Sequence, residues 1–174
     1  MWSFVLGLLV ANVGEWFIHR FWLHGRGKNR ASFWSFHFHE HHNAARRHDM
    51  IDADYERTTF GWHAQGKEAG ALLFAAISQA PLLGWSPGYV FGVWTSICTY
   101  YVLHRLSHTR PEWGRRYLPW HYDHHMGTDQ DTNWCVTWPG FDWVMRTRVP
   151  YKDTDRETND RAKREDRAKR RAVA

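Results

Sequence analysis

Residues 69–104 read AGALLFAAISQAPLLGWSPGYVFGVWTSICTYYVLH and contain no Lys, Arg, Asp or Glu. In a soluble domain, charges recur along every surface helix, so this stretch predicts helices facing an apolar medium. Ala71 to Leu83 reads as one arm, Gly84-Trp85-Ser86-Pro87-Gly88 as a turn, and Tyr89 to Leu103 as a returning arm. Arms of about 16 residues span roughly 24 Å at 1.5 Å per residue. That is short of the ~30 Å hydrocarbon core of a bilayer. Either the helices extend into their polar flanks or the hairpin enters without fully crossing.

A second charge-free stretch opens the chain. Residues 1–14 carry no charge, and Trp2 to Leu23 is apolar nearly all round, with Glu15, His19 and Arg20 at its polar end. It reads as a membrane helix ended by Gly25 and Gly27. With no basic leader and no small-residue cleavage site, it reads as retained. All 23 Lys and Arg lie within Arg20–Lys67 and Arg105–Arg171. The mean hydropathy of −0.64 therefore averages two opposite kinds of sequence. The positive-inside bias places both flanks of the hairpin on the cytoplasmic side. The expected fold is all-α: one N-terminal membrane segment and a helical hairpin, capped by a cytoplasmic, His-rich helical metal domain. At 174 residues the chain reads as one membrane-embedded domain, 1–151, followed by a charged, solvent-exposed tail, 152–174.

The net charge of +5 is largely that tail, which has no aromatic residue to stack on bases, so nucleic-acid binding is not expected. A basic tail near an anionic bilayer surface fits better. Its acid-to-base pairs four residues apart, such as Glu157–Arg161 and Asp166–Arg170, predict an exposed helix. Cys98 and Cys135 form no metal-type pair and no disulfide framework.

Ten of the 13 histidines form four clusters beside or just after the apolar stretches: His19 and His24; His37, His41 and His42; His104 and His108; His121, His124 and His125. Neutral imidazole binds iron, copper or zinc. Ten such ligands exceed the capacity of one ion and imply two. Spacings of three and four place His104 with His108, and His121 with His124 and His125, on single helical faces. His19 and His24, five apart, diverge by about 140° on an ideal α-helix and converge only if the helix ends or bulges. In the second cluster His37 shares a face with His41, and His39 with His42. His37, His41 and His42 are the preferred ligands, and His39 the odd one out. His48 and His63 carry no such signal. Glu15, Glu40 and Asp123 are candidate carboxylates for orienting the imidazoles.

This pattern resembles the integral-membrane fatty acid hydroxylase / sterol desaturase superfamily: an HX3–4H box, an HX2–3HH box, then, after a hydrophobic hairpin, a further HX3H and HX2–3HH. Glu15-x3-His19-Arg20, Asn133-Trp134 and Pro139-x2-Asp142 extend the likeness over residues 10–151. Phe38, where a strict HX2HH box has histidine, and Arg146, where a glycine is expected before Thr147, depart from it. The resemblance implies a non-haem di-iron centre held by His19, His24, His37, His41, His42, His104, His108, His121, His124 and His125. No catalytic residue separate from these ligands is implied, and zinc is the substitute the same imidazoles accept. The implied activity is O2-dependent hydroxylation or desaturation of a lipid or fatty-acyl chain, with an external electron donor of cytochrome b5 or ferredoxin type. The implied location is a multi-pass membrane protein with its His clusters and C-terminal tail cytoplasmic. The alternatives are a carotenoid β-ring hydroxylase and a non-catalytic metal-binding membrane protein. A zinc protease would need histidine at position 43 after His39-Glu40, and Asn43 stands there.

Overall fold

The computed structural model describes residues 1–173. Ala174, the last residue of the expected tail, lies outside the described residues. Within them the chain is helical without a strand. The α-helices are α1 (Trp2–Phe17), α2 (His42–Arg47), α3 (Ala64–Gln79), α4 (Pro87–Thr109), α5 (Pro111–Tyr117), α6 (Pro119–Met126), α7 (Gly140–Val144) and α8 (Asp155–Val173). Two π-helical turns, Ile18–Arg26 and Phe36–His41, precede α2.

One helix is long and apolar enough to cross a membrane: α1 with its π-helical continuation, Trp2–Arg26, 25 residues. At 1.5 Å per residue α1 and α4 set the long dimension, about 35 Å for the 23 residues of α4. They run parallel, because Gly88 meets Ser3 and Gly92 meets Phe4 and Gly7. These glycines are what lets the backbones approach. A Cβ on Gly92 would stand 2.2 Å from the Phe4 carbonyl oxygen, and one on Gly7 2.2 Å from that of Tyr89. Small residues at such a crossing are typical of helices that pack without a hydrophobic driving force.

Ala80–Gly84 winds as a 3₁₀ turn after α3, so the hairpin of the sequence reading is present as α3, turn and α4. Both helices run further into the polar flanks than expected, α3 back to Ala64 and α4 on to Thr109. Trp94 Nε1 donates to Ala76 O, and Gln65 Nε2 to the Tyr101 hydroxyl, tying α3 antiparallel to α4. The C-terminal ends of α1 and α4 and the N-terminal end of α3 therefore meet at one end of the molecule. The short helices α2, α5 and α6 gather there.

The tail is not solvated throughout, contrary to its expected character. Glu157 is buried and accepts from Arg115 Nε at 2.7 Å and from the Tyr122 hydroxyl at 2.9 Å. Arg164 faces Asp49 at 3.3 Å. The periodicity of α8 gave no apolar face because its docking is ionic.

Candidate metal centre

The first box works through its π-helical turn. A ring closed from residue i to i+5 replaces the α-helical one, and such turns cluster at functional sites. Here it stacks His19 and His24 on one face, which supplies the bulge their spacing required. The same device acts in Phe36–His41. His37 and His42 have Nε2 atoms 3.2 Å apart, while His41 turns elsewhere. The expected pairing of His37 with His41 is thereby corrected: the turn brings residues five apart together, not four. His39 faces away, half-buried, with its Nε2 on Lys28 O at 3.0 Å.

Two groups result. His19, His24, His37, His42 and His124 bring ligand nitrogens within 4.8 Å of one another, and so do His41, His104, His108 and His125. His121 adjoins the second group, its Nε2 3.0 Å from that of His108. Consecutive residues on a helix point about 100° apart. Each HH pair, His41-His42 and His124-His125, therefore sends one ring to each group and sets them side by side. The rings of His42 and His125 are 4.3 Å apart.

The outer nitrogens show what the inner ones carry. His19 Nδ1 lies 2.5 Å from Trp134 O, His108 Nδ1 2.8 Å from Met50 O, and His124 Nδ1 2.6 Å from Thr132 O. A carbonyl only accepts, so each of these Nδ1 atoms bears the proton. His41 Nδ1 meets Asp52 at 2.8 Å, His24 Nδ1 meets Asp131 at 3.2 Å, and His42 Nδ1 meets Gln130 Oε1 at 2.7 Å. His104 Nδ1 is 2.8 Å from Glu68 Oε2, at an angle short of a hydrogen bond. With Nδ1 protonated, a neutral ring points an Nε2 lone pair inward. Burial pushes His37, His41 and His42 well below the ordinary imidazole range, and likewise His121, His124 and His125, so these rings are neutral at pH 7.

Lone pairs of His24, His42 and His124 thus face each other: His42 Nε2 lies 3.1 Å from both His24 Nε2 and His124 Nε2. His19 Nε2 lies 2.9 Å from His37 Nε2. A cation placed among these nitrogens satisfies them together. Nitrogens about 2.1 Å from one ion are roughly 3.0 Å apart at a right angle and 3.4 Å apart in a tetrahedron. In the second group the Nε2 atoms of His41, His104 and His125 are buried with no hydrogen-bond partner. The donor set fits a metal ion in each group. Outer partners of this kind, which hold ring orientation and basicity, are usual around ligating histidines.

The carboxylates that do this were not the expected ones. Glu15 accepts from the Val136 and Thr137 backbone, Glu40 from Lys67, and Asp123 from Arg148 and Lys152 N. None of the three reaches an imidazole. Asp52, Glu68 and Asp131 do so instead. Burial raises the Asp52 carboxyl to about 6, whereas the His24 and Lys28 hydrogen bonds hold Asp131 below its usual range. No spacing rule marks Asp52 or Glu68. The Asn133-Trp134 text acts indirectly: Asp142 accepts from Trp134 N and Cys135 N at 2.9 Å and fixes the Trp134 carbonyl on His19.

A cavity of about 500 Å3 lies between α1, α3 and α4. Its walls are mainly apolar, among them Val10, Ile18, Leu72, Phe74 and Val93, and it reaches His19, His37 and Glu68. Comparison with family models, with curated proteins and with solved structures returns no match.

Proposed function

We propose that the chain is a membrane-bound, non-haem di-iron oxidoreductase that uses O2 to hydroxylate or desaturate a lipid or fatty-acyl chain, a member of the fatty acid hydroxylase / sterol desaturase superfamily. The observation that carries this reading is that two adjoining histidine groups, each able to hold a metal ion, stand beside an apolar cavity, and that His19 and His37 of the first group line it. Two bound irons would supply O2 activation and the oxidation of an unactivated C–H bond, chemistry no side chain performs alone. The chain's own part is to hold neutral imidazoles in two adjoining sets, fix their tautomers through Trp134, Thr132 and Met50 carbonyls, and keep water from the reacting end with apolar walls. Electrons come from an external cytochrome b5- or ferredoxin-like donor.

A multi-pass placement draws support from exposed apolar side chains on three helices: Leu6 and Leu9 on α1, Phe74 and Ile77 on α3, and Phe91 on α4. Large exposed apolar side chains on long helices fit a membrane or partner face. In this arrangement α1 and the α3–α4 pair enter the bilayer, Gly84–Gly88 lies toward the far side, and the histidine groups, α5, α6 and α8 are cytoplasmic. Labelling a single cysteine introduced at Ser86 or Ser32 reads this directly, and outside labelling of Ser32 contradicts it.

The test of function is lipid analysis of cells expressing the wild type or His124→Ala under 18O2. A lipid oxidised in an O2-dependent way in the wild type and absent from the variant supports the reading. An oxidised carotenoid ring moves it to a β-ring hydroxylase. Metal-loaded protein with no product in any lipid class leaves a non-catalytic metal-binding protein.

A further inference from the structure

The lining of the cavity runs from Glu68 to Gln79 on α3 and from Tyr89 to Tyr100 on α4, in each case about 16 Å of helix at 1.5 Å per residue. The slot between them has a volume of about 500 Å3, room for a single alkyl chain. No Lys or Arg lines it, and two lining residues are acidic, Glu15 and Glu68. An anionic head group would find no cationic partner there.

The two acids differ in what they have left to offer. Glu15 is spent, with Oε1 on the Val136 and Thr137 amides and Oε2 on the Thr137 hydroxyl. Glu68 Oε2 accepts from the Tyr55 hydroxyl at 2.6 Å and lies 2.8 Å from His104 Nδ1. Its Oε1 has no hydrogen-bond partner, although the residue is only 6% exposed. A buried acceptor left unmade is costly, and a ligand that brings a donor removes the cost. Glu68 sits where the slot meets the metal groups, beside His104.

We propose that the slot takes an uncharged, single-chain apolar ligand bearing a hydroxyl near its metal-side end, and that Glu68 Oε1 accepts the hydrogen bond from that hydroxyl. This rests on reading the cavity as the substrate site, and it adds a class: neutral chains carrying a hydroxyl, not free acids or phosphorylated heads. Glu68 then sets which carbon stands beside His19 and His37.

Trp22 and Trp34 line the same cavity, so brominated chains report occupancy by quenching them. The full chain in phosphatidylcholine nanodiscs is titrated with bromododecanol, bromododecane and bromododecanoate, with a Trp22→Phe, Trp34→Phe variant as the blank. The expected result is that the alcohol binds about tenfold more tightly than the alkane, the difference one hydrogen bond to a buried acceptor makes, and that the carboxylate is weakest. Glu68→Leu should abolish the advantage of the alcohol over the alkane, and continued quenching by the alkane shows the slot intact. Glu68→Gln, which keeps an acceptor oxygen, should retain most of the preference. Equal binding of alcohol and alkane by the wild type, or a preference for the carboxylate, overturns the inference alone. No quenching by any probe overturns the substrate-site reading along with it.

Discussion

Replacing Asp52 by Asn tests whether the outer partners tune one metal group at a time. Asp52 is buried; its Oδ2 meets His41 Nδ1 at 2.8 Å and its Oδ1 accepts from Asp54 N at 3.0 Å, opening the 3₁₀ turn Ala53–Glu56. Asn has the same shape but only one accepting oxygen. If that oxygen stays on Asp54 N, an amide NH2 faces the protonated Nδ1 of His41, donor against donor. If it turns to His41, the Asp54 amide is left bare. Loss of an outer partner typically weakens metal binding by about 10–100-fold, or roughly 1.4–2.8 kcal/mol. The loss should fall on the group containing His41 only, because His24, His42 and His124 lean on Asp131, Gln130 and the Thr132 carbonyl. The assay is competition titration of chelator-stripped, full-length protein with ferrous or zinc ion, fitted to two dissociation constants. One constant should weaken by that factor while the other stays within about twofold. Two unchanged constants, or an equal shift in both, would refute the reasoning.

Three further expectations follow from packing and charge. Gly92→Ala would place a Cβ 2.2 Å from the Phe4 carbonyl, where carbon–oxygen contacts are normally about 3.3 Å. Parting α1 from α4 should cost about 1–3 kcal/mol, and an unchanged thermal midpoint in detergent would show that the helices do not cross there. Glu157→Ala removes the acceptor of Tyr122 and Arg115 and should cost about 2 kcal/mol. If truncation after Lys152 leaves the midpoint untouched, α8 does not dock. The metal-free chain should lose stability on acidification. Burial lowers His37, His41 and His42 beneath their ordinary 6.5, so below that pH the unfolded chain binds more protons than the folded one. The loss is about 1.4 kcal/mol per pH unit for each such histidine, and a flat denaturation profile between pH 7 and 5.5 contradicts it.

Part of the site is legible in the chain because histidines four apart need only an ordinary helix to converge. His104 with His108, and His121 with His125, follow from that alone. The five-residue spacings do not, since a π-helical turn is a local choice that propensity does not announce. That choice decides which of His37 and His41 goes with His42. The spacing of three misleads: His124, expected beside His121, joins the first group while His121 adjoins the second. The outer partners come from loops: the Trp134 and Thr132 carbonyls belong to the backbone, and no residue type encodes them. Arg146, read as standing where a glycine belongs, has φ 56°, the left-handed region glycine enters most readily. There the expectation came from a backbone constraint that the structure makes visible. The burial of Glu157 was hidden for the opposite reason, because charge periodicity describes a helix surface and not the arginine and tyrosine it meets.

The central claim is that the ten histidines hold two ions, one per group. Elemental analysis of the purified full chain, expressed with iron, should give close to two irons per chain. His42→Ala and His104→Ala, one from each group, should each leave close to one, and the double variant close to none. A wild-type value near one that His104→Ala leaves unchanged would contradict the account.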